Sequence, residues 1–204
     1  MSISKIGLGL AALALAFSST ARGALSYDNG APDQVSGTNM SEQLVAENFT
    51  LGADANLIKI RYWAILSAPA AYRGNVYWAI YSDLANQPGV IVSGGAAPVV
   101  GTVATGSSTL FGYAEYSFDL PVDIQLAAGD YWLALHNGDL SNNDPSEMLW
   151  STTAVGIGSN ALYLDAVSGW VSSGNGLAFQ LEDTTIFADG FESADMSAWS
   201  STVP

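Results

Sequence analysis

The chain contains no cysteine, one histidine and only five basic residues among 204. The lack of cysteine excludes disulfide bonds, thiolate metal sites and a lipid-modified cysteine anchor, and one histidine is too few for a histidine-rich zinc site. The 19 acidic residues far outnumber the basic ones, so nucleic acid and anionic lipid are not expected as partners. The same acidity could attract divalent cations or serve solubility alone.

Long apolar runs are absent after residue 17. Before it, Lys5 precedes an unbroken run of twelve apolar residues, Ile6–Phe17, which is followed by small residues. This pattern is typical of a secretory signal peptide, and twelve residues span only about 18 Å as a helix, too short for a membrane. We expect cleavage after Gly23, in preference to Ala21, and no membrane span after it.

The expected mature chain begins at Ala24 and keeps three basic residues against 19 acidic ones, a net charge of −16. Its length suits one domain, which we place at residues 24–182. Residues 183–204 lack the strand-like pattern of the rest and are interpreted as an acidic C-terminal tail motif.

Short segments with period-two alternation recur between turn residues. The clearest are Leu57–Leu66, Asn75–Ser82, Tyr113–Leu120 and Asp130–His136. Weaker strands are predicted at Ala46–Leu51, Val90–Val92, Val99–Thr105, Met148–Thr152, Ala161–Leu164 and Leu177–Leu181. About ten short strands without a capped amphipathic helix predict an all-β protein, a jelly-roll-like antiparallel β-sandwich.

The strand predicted at Leu57–Leu66 has two distinct faces. The apolar face carries Ile58, Ile60, Tyr62 and Ala64, and the opposite face carries Lys59, Arg61 and Trp63. We therefore expect the first set in the core and the second set on the surface.

Three segments, YDNGAPDQVSGTNMSEQLVAENFTL at 27–51, DYWLALHNGDL at 130–140 and LAFQL at 177–181, have a familiar form. They resemble the "NGxP", "YWLALHNG" and "AFQL" segments of secreted bacterial β-sandwich proteins of the PEP-CTERM-associated type. The resemblance covers about residues 27–181 and implies a fold, with no established chemistry. The Val-Pro-Glu-Pro segment, the apolar helix and the terminal basic cluster of that family are not found in this sequence.

The stretch FADGFESADMSAWS at 187–200 resembles a second known segment. A "DGFESGDxSAWS" tail ends many otherwise unrelated secreted proteobacterial proteins. That resemblance implies a Gram-negative source and a shared sorting or processing role. Together with the signal peptide, it predicts a secreted, periplasmic or outer-surface location.

Catalytic motifs are sparse. No G-x-S-x-G segment is present, and His136 lies at the end of a predicted strand, where bonding to a loop is the favoured interpretation over a general base. A carboxylate pair for glycoside hydrolysis remains a third alternative, because that chemistry needs only two acids at the right separation. No acidic residue is expected in an apolar strand, where burial would raise its pKa. We therefore expect the protein not to be an enzyme.

The richest polar segment is NGDLSNNDPSE at 137–147. Oxygen-bearing side chains in such a loop could bind calcium, although the spacing is not that of an EF-hand. Asn and Asp also form solvated turns by capping their own backbone, and this alternative is favoured. The candidate calcium ligands are Asp139, Asn143, Asp144, Glu147 and, from the N-terminal segment, Asp28, for which Asp183 would be a natural partner.

Aromatic residues supply the other candidate site. Trp63 shares a strand face with two basic residues, Trp132 shares one with the histidine, and Trp170 lies in a predicted turn. Exposed tryptophans of this kind stack on sugar rings, whereas buried ones simply fill a core. The leading interpretation is a non-catalytic extracellular module that is structural or binds a ligand, with an extracellular polysaccharide or cell-surface matrix as partner. The alternative is a purely structural surface or matrix protein without a small ligand.

Overall fold

The computed structural model describes residues 23–143, 145–154 and 161–184. These residues form thirteen strands and one short 3-10 helix, Pro69–Ala71. The strands are β1 Ala24–Asp28, β2 Pro32–Asn39, β3 Val45–Leu51, β4 Ala55–Leu66, β5 Val76–Asp83, β6 Pro88–Ala97, β7 Gly101–Ser107, β8 Ala114–Leu126, β9 Gly129–Asn137, β10 Met148–Thr153, β11 Leu162–Asp165, β12 Gly169–Ser172 and β13 Phe179–Asp183.

Two antiparallel sheets pack against each other. Sheet A contains β1, β13, β4, β10 and β2 in that order, and β8 and β7 continue it from the other edge of β4. Sheet B has the order β12-β11-β3-β9-β5-β6. The predicted antiparallel β-sandwich is therefore confirmed, with thirteen strands where about ten were expected.

The core lies between the sheets and follows from the alternation of the strands. On β4, Ile60, Tyr62 and Ala64 are buried, while Lys59, Arg61 and Trp63 face outward and are only partly buried. The β4–β8 register shifts between Leu57 and Lys59. Because of this irregularity Leu57 is fully buried and Ile58 is not, which corrects the expected place of Ile58 in the core.

Three strands were not predicted from the sequence. β1 begins at the expected cleavage site, β2 lacks an apolar alternation, and β12 was interpreted as a turn. The described part of the chain also extends the sandwich to Asp183, the last residue of β13, which is buried and pairs with Ala24. The domain therefore includes this residue. Residues 1–22, within the expected signal peptide, and residues 185–204 of the expected tail lie outside the described residues.

Candidate functional site

The outer face of sheet A carries a polar row across four strands. Arg61 on β4 lies opposite Asp119 on β8 and opposite Gln180 on β13, and Gln180 in turn lies opposite Asp28 on β1. The adjacent row runs through Lys59, whose neighbour on β13 is Glu182. Neighbouring strands lie about 4.8 Å apart, so these side chains form one continuous surface.

Arg61 forms a bidentate ion pair with Asp119. Its Nε donates to Oδ1 of Asp119 at 2.6 Å and its Nη2 donates to Oδ2 at 2.8 Å. Burial favours the neutral form of Asp119, but the bonds and charge of Arg61, helped by Lys59, outweigh this effect and lower the pKa of the carboxyl group. Asp119 is therefore ionised at neutral pH, and the guanidinium is fixed in one orientation.

The remaining polar groups of this face are also paired. The Lys59 ammonium nitrogen lies 2.7 Å from Oε1 of Glu182 and 3.7 Å from Oδ2 of Asp119. Gln180 Nε2 donates to Oδ2 of Asp28 at 3.1 Å. The face thus presents donors and acceptors that are ordered before any ligand arrives.

A cleft of about 330 Å³ opens on this face. Its walls are formed by Gly23, Leu25, Lys59, Arg61, Gln180 and Glu182. The volume lies at the lower end of the range for small-molecule sites.

Trp63 lies beside this cleft without lining it. It is two residues beyond Arg61 on the same face of β4, about 7 Å along the strand. Its cross-strand neighbour on β8 is the small Ser117, and the tryptophan is half-buried. The indole and the polar cleft therefore form one surface, in agreement with the predicted outward direction of Trp63.

Trp132 does not lie on an accessible polar face, and this expectation is wrong. It is fully buried in a second apolar cluster with Leu44 and Leu162, against which Tyr81 and Trp170 pack. Its indole N–H donates to Oδ1 of Asp83 at 2.8 Å. Side chains from β5, β11 and β12 cover this part of sheet B, so the ring cannot stack on a sugar.

Trp170 belongs to β12 and is half-buried. Its ring meets that of Tyr81 edge to face, with 5.9 Å between the ring centroids. Trp170 therefore lies in a strand and not in the predicted turn. Its contact with Tyr81 shows that part of the indole packs against the protein.

The 137–147 segment forms an open cleft of about 400 Å³ lined by Arg73, Asn75, Gly138, Asp139, Ser141 and Asn142. Asp139 is exposed and accepts a bond from Asn75 Nδ2 at 3.0 Å. Arg73 reaches across to the Ser146 hydroxyl at 2.6 Å, which places a positive charge in the same cleft. A cation in this cleft would therefore meet an arginine.

The described residues do not show the candidate calcium ligands gathered into one site. Among residues 23–143, 145–154 and 161–184 there is no group of three or more His, Cys, Asp or Glu side chains that could bind a metal ion. Asn143 is exposed and Glu147 is half-buried, and Asp144 lies outside the described residues. The local bond of the turn alternative is the one from Asn142 Nδ2 to the carbonyl oxygen of Asn137 at 3.3 Å. Asn137 itself is fully buried, and its amide bonds to the distant backbone of Arg73 and Ala71.

Asp28 and Asp183 do not form the expected pair. Asp28 lies opposite Gln180, whereas Asp183 lies opposite Ala24 at the other end of the β1–β13 ladder. The offset of three to four residues separates the two carboxylates by roughly 10–14 Å. Asp28 instead accepts a bond from the backbone N–H of Gly30 at 2.9 Å, in an Asx turn.

His136 is buried, and its Nδ1 lies 3.2 Å from the carbonyl oxygen of Gly138. This geometry confirms the prediction that the histidine bonds to the following loop. Burial lowers its pKa, although the backbone bonds to Gly138 and Asn142 act in the opposite direction.

Two buried glutamates were missed by the sequence analysis. Glu47 on β3 points into the sandwich, on the same side as buried Val45 and Phe49, and accepts the backbone N–H of Leu177 at 2.8 Å. An acid does therefore lie in an apolar strand, contrary to expectation. Burial, together with the negative charges of Glu47 and Asp28, raises the pKa of Tyr27 to about 12.

Glu115 lies on the outer face of β8 but is fully buried. Its Oε1 accepts from the Ser151 hydroxyl at 2.9 Å, and its Oε2 accepts from Thr105 at 2.9 Å and from Gln34 at 3.1 Å. The alternation of β8 correctly predicts that Glu115 lies on the outer face of the strand. The three donors come from other strands, and Gln34 lies 81 positions away in the sequence, so no local pattern reveals this network.

Among the best-formed clefts in the described part of the chain, five are each lined by at most one carboxylate residue. Neither Glu47 nor Glu115 lines any of these clefts.

The described residues also contain no helix that is long and apolar enough to span a membrane. No protein-family model matches the chain, and no curated protein matches it.

Proposed function

We propose that this chain is an exported, non-catalytic β-sandwich that binds a saccharide on the outer face of sheet A. The observation that supports this proposal most strongly is that Lys59, Arg61 and Trp63 lie on one face of β4, next to the polar cleft. A half-buried indole offers an apolar plane for the face of a sugar ring. Ordered Arg61 and Gln180 offer bonds to its hydroxyl groups.

The net charge of the molecule indicates whether the saccharide ligand is neutral or acidic. With a net charge of −16, the mature chain repels acidic polysaccharides, and the cations of the cleft are already paired with carboxylates. A neutral polysaccharide with exposed hydroxyl groups is therefore the expected ligand.

A purely structural surface or matrix protein is the second candidate. It is favoured by the burial of Trp132 and Trp150, which are fully enclosed, and of Trp78, which is 8% exposed. In this alternative the polar pairs of sheet A only stabilise the sheet.

The two candidates are separated by affinity electrophoresis of the chain from Ala24 in gels containing soluble starch, xyloglucan, glucomannan or alginate. We expect at least one neutral polysaccharide to retard the chain and alginate to have no effect. Trp63→Ala is expected to abolish the retardation, whereas the control Trp170→Ala, at a half-buried indole of sheet B, should keep it. A chain that no neutral polysaccharide retards, or equal retardation of Trp63→Ala and the parent, contradicts the proposal.

A further inference from the structure

Strands β6 and β7 form the two free edges on one side of the sandwich. β6 ends sheet B and pairs only with β5, and β7 pairs only with β8 in sheet A. The two strands are joined by residues 98–100, so their edges lie next to each other. Each edge has backbone N–H and C=O groups without a partner strand, which another strand can pair with.

The segment that forms β6 and β7 carries no charged residue in a strongly acidic protein, although Asp123 of β8 lines a cleft with residues 93–97 of β6. The sequence from Leu84 to Ala114 contains 31 residues without Asp, Glu, Lys, Arg or His. It includes all of β6 and β7. Elsewhere the mature chain carries all 19 acidic residues.

Apolar side chains are exposed on the same segment. Of twelve large hydrophobic residues exposed in the described part of the chain, seven lie here: Leu84, Val90, Ile91, Val92, Val100, Val103 and Phe111. Val90 and Val100 are exposed by 72% and 73%. A concentration of exposed apolar residues of this kind is typical of an interaction surface.

The other free edges carry protective features. The second half of β8, which β7 does not cover, contains Pro121 and the charged Asp123. β12 is only four residues long, and β1 has five residues with a register shift and Asp28. β2, which pairs only with β10, begins with Pro32 and Asp33. Prolines, charges, bulges and short length are the usual means by which proteins prevent edge-to-edge pairing. β6 and β7 also have register shifts, and β6 begins with Pro88, but neither strand carries a charge and β6 is ten residues long.

The partner assigned to this surface is a second copy of this chain. Two copies, each with a net charge of −16, repel each other over most of their surface, and the uncharged segment is where that repulsion is weakest. Residues 88–107, which comprise β6, the connection and β7, number 20, and a stable interface uses about 20–30 residues on each side. Antiparallel pairing of identical strands also generates the two-fold symmetry of most homodimers.

We propose that the chain forms a symmetric dimer in which β6 of one copy pairs antiparallel with β6 of the second copy. The valines of β6 and of the adjacent β7 then pack across the interface. The six strands of sheet B continue into the partner to form one twelve-stranded sheet. The outer face of sheet A remains accessible on both copies, so this inference does not depend on the proposed saccharide site.

The test is the molar mass of the chain from Ala24, measured by sedimentation equilibrium over a range of concentrations and at low and high NaCl. We expect the mass to rise from one copy to two with concentration. Added salt should strengthen the association, since screening weakens the repulsion between acidic surfaces while the contact contains no ion pair.

Val92→Glu and Val103→Glu place acidic groups in the interface and should each weaken the dimer at least tenfold. The matched control is Val167→Glu, at a valine that is 95% exposed and outside the segment, and it should leave the association unchanged. Thermal unfolding of each variant verifies the fold. A single-copy mass at every concentration, an association that salt weakens, or equal effects of Val92→Glu and Val167→Glu would overturn the proposal.

Discussion

His136 links the stability of the sandwich to pH through a single buried ring. Its pKa lies below the ordinary value of 6.5 because burial disfavours the charged imidazolium. The unfolded chain therefore binds a proton at a higher pH than the folded chain does. The stability that results is fully present above about pH 6.5 and is lost as the pH falls toward the lowered folded-state pKa.

We expect urea denaturation to report this loss between pH 7.5 and 5. Acidification also neutralises repelling carboxylates, so the measurement compares the parent chain with His136→Gln, whose side chain does not titrate. The stability advantage of the parent should shrink as the pH falls. A difference between the two chains that is independent of pH contradicts the assignment of a lowered pKa to His136.

Glu115 is a second residue whose contacts carry a prediction. Its two oxygens accept bonds from Ser151, Thr105 and Gln34 in a site closed to solvent. Glu115→Gln replaces one acceptor oxygen by an amide that donates, so at least one buried donor loses its partner. We expect a loss of about 1–3 kcal/mol in the free energy of unfolding, measured by urea denaturation.

The control for this prediction is Glu42→Gln, because Glu42 is exposed and accepts only a 3.3 Å bond from Asn39. Its effect should stay within about 0.5 kcal/mol. Equal effects of the two substitutions would show that the buried network around Glu115 does not stabilise the fold.

Strand β9 differs from β4 because both of its faces are buried. Leu133 and Leu135 face the core between the sheets, and Trp132 and Ala134 belong to the second apolar cluster on the outside of sheet B. Trp170 of β12 packs against that cluster, so the β11–β12 hairpin helps to cover β9. On β4, by contrast, Trp63 is only half-buried.

This difference predicts unequal costs for two tryptophan substitutions. Trp132→Ala removes a fully buried indole and should lower the free energy of unfolding by about 3–5 kcal/mol. Trp63→Ala removes a partly exposed indole and should cost about 1 kcal/mol or less. Thermal and urea unfolding of both variants test this, and a Trp63→Ala loss as large as that of Trp132→Ala would assign Trp63 to the core.

The alternation of single strands was enough to predict the sandwich and the outward direction of Arg61 and Trp63. It failed for Trp132, because the side chains that cover this residue come from β5, β11 and β12, distant in the sequence. It also missed β2, whose polar residues carry no periodic signal. Local patterns define a strand and its two faces, whereas burial of the outer face depends on which remote segment lies over it.

At the scale of the whole molecule, charge divides the surface into regions with different expected roles. Two of the three basic residues that follow residue 23, Lys59 and Arg61, lie together on the outer face of sheet A. Arg73 lies beside residues 138–142, and the segment that forms β6 and β7 contains no charged residue. The face with ordered ion pairs, a cleft and Trp63 is therefore the proposed saccharide site, and the uncharged segment is the proposed dimer contact.

The most direct test of the central claim is the dissociation constant for the neutral polysaccharide that retards the chain most, measured by titration calorimetry. Trp63→Ala should weaken binding about thirtyfold, which corresponds to about 2 kcal/mol. Gln180→Ala should also weaken it, and the double variant should lose less than the sum, because both groups contact one ligand. Unchanged affinity in both single variants would contradict a saccharide site on the outer face of sheet A.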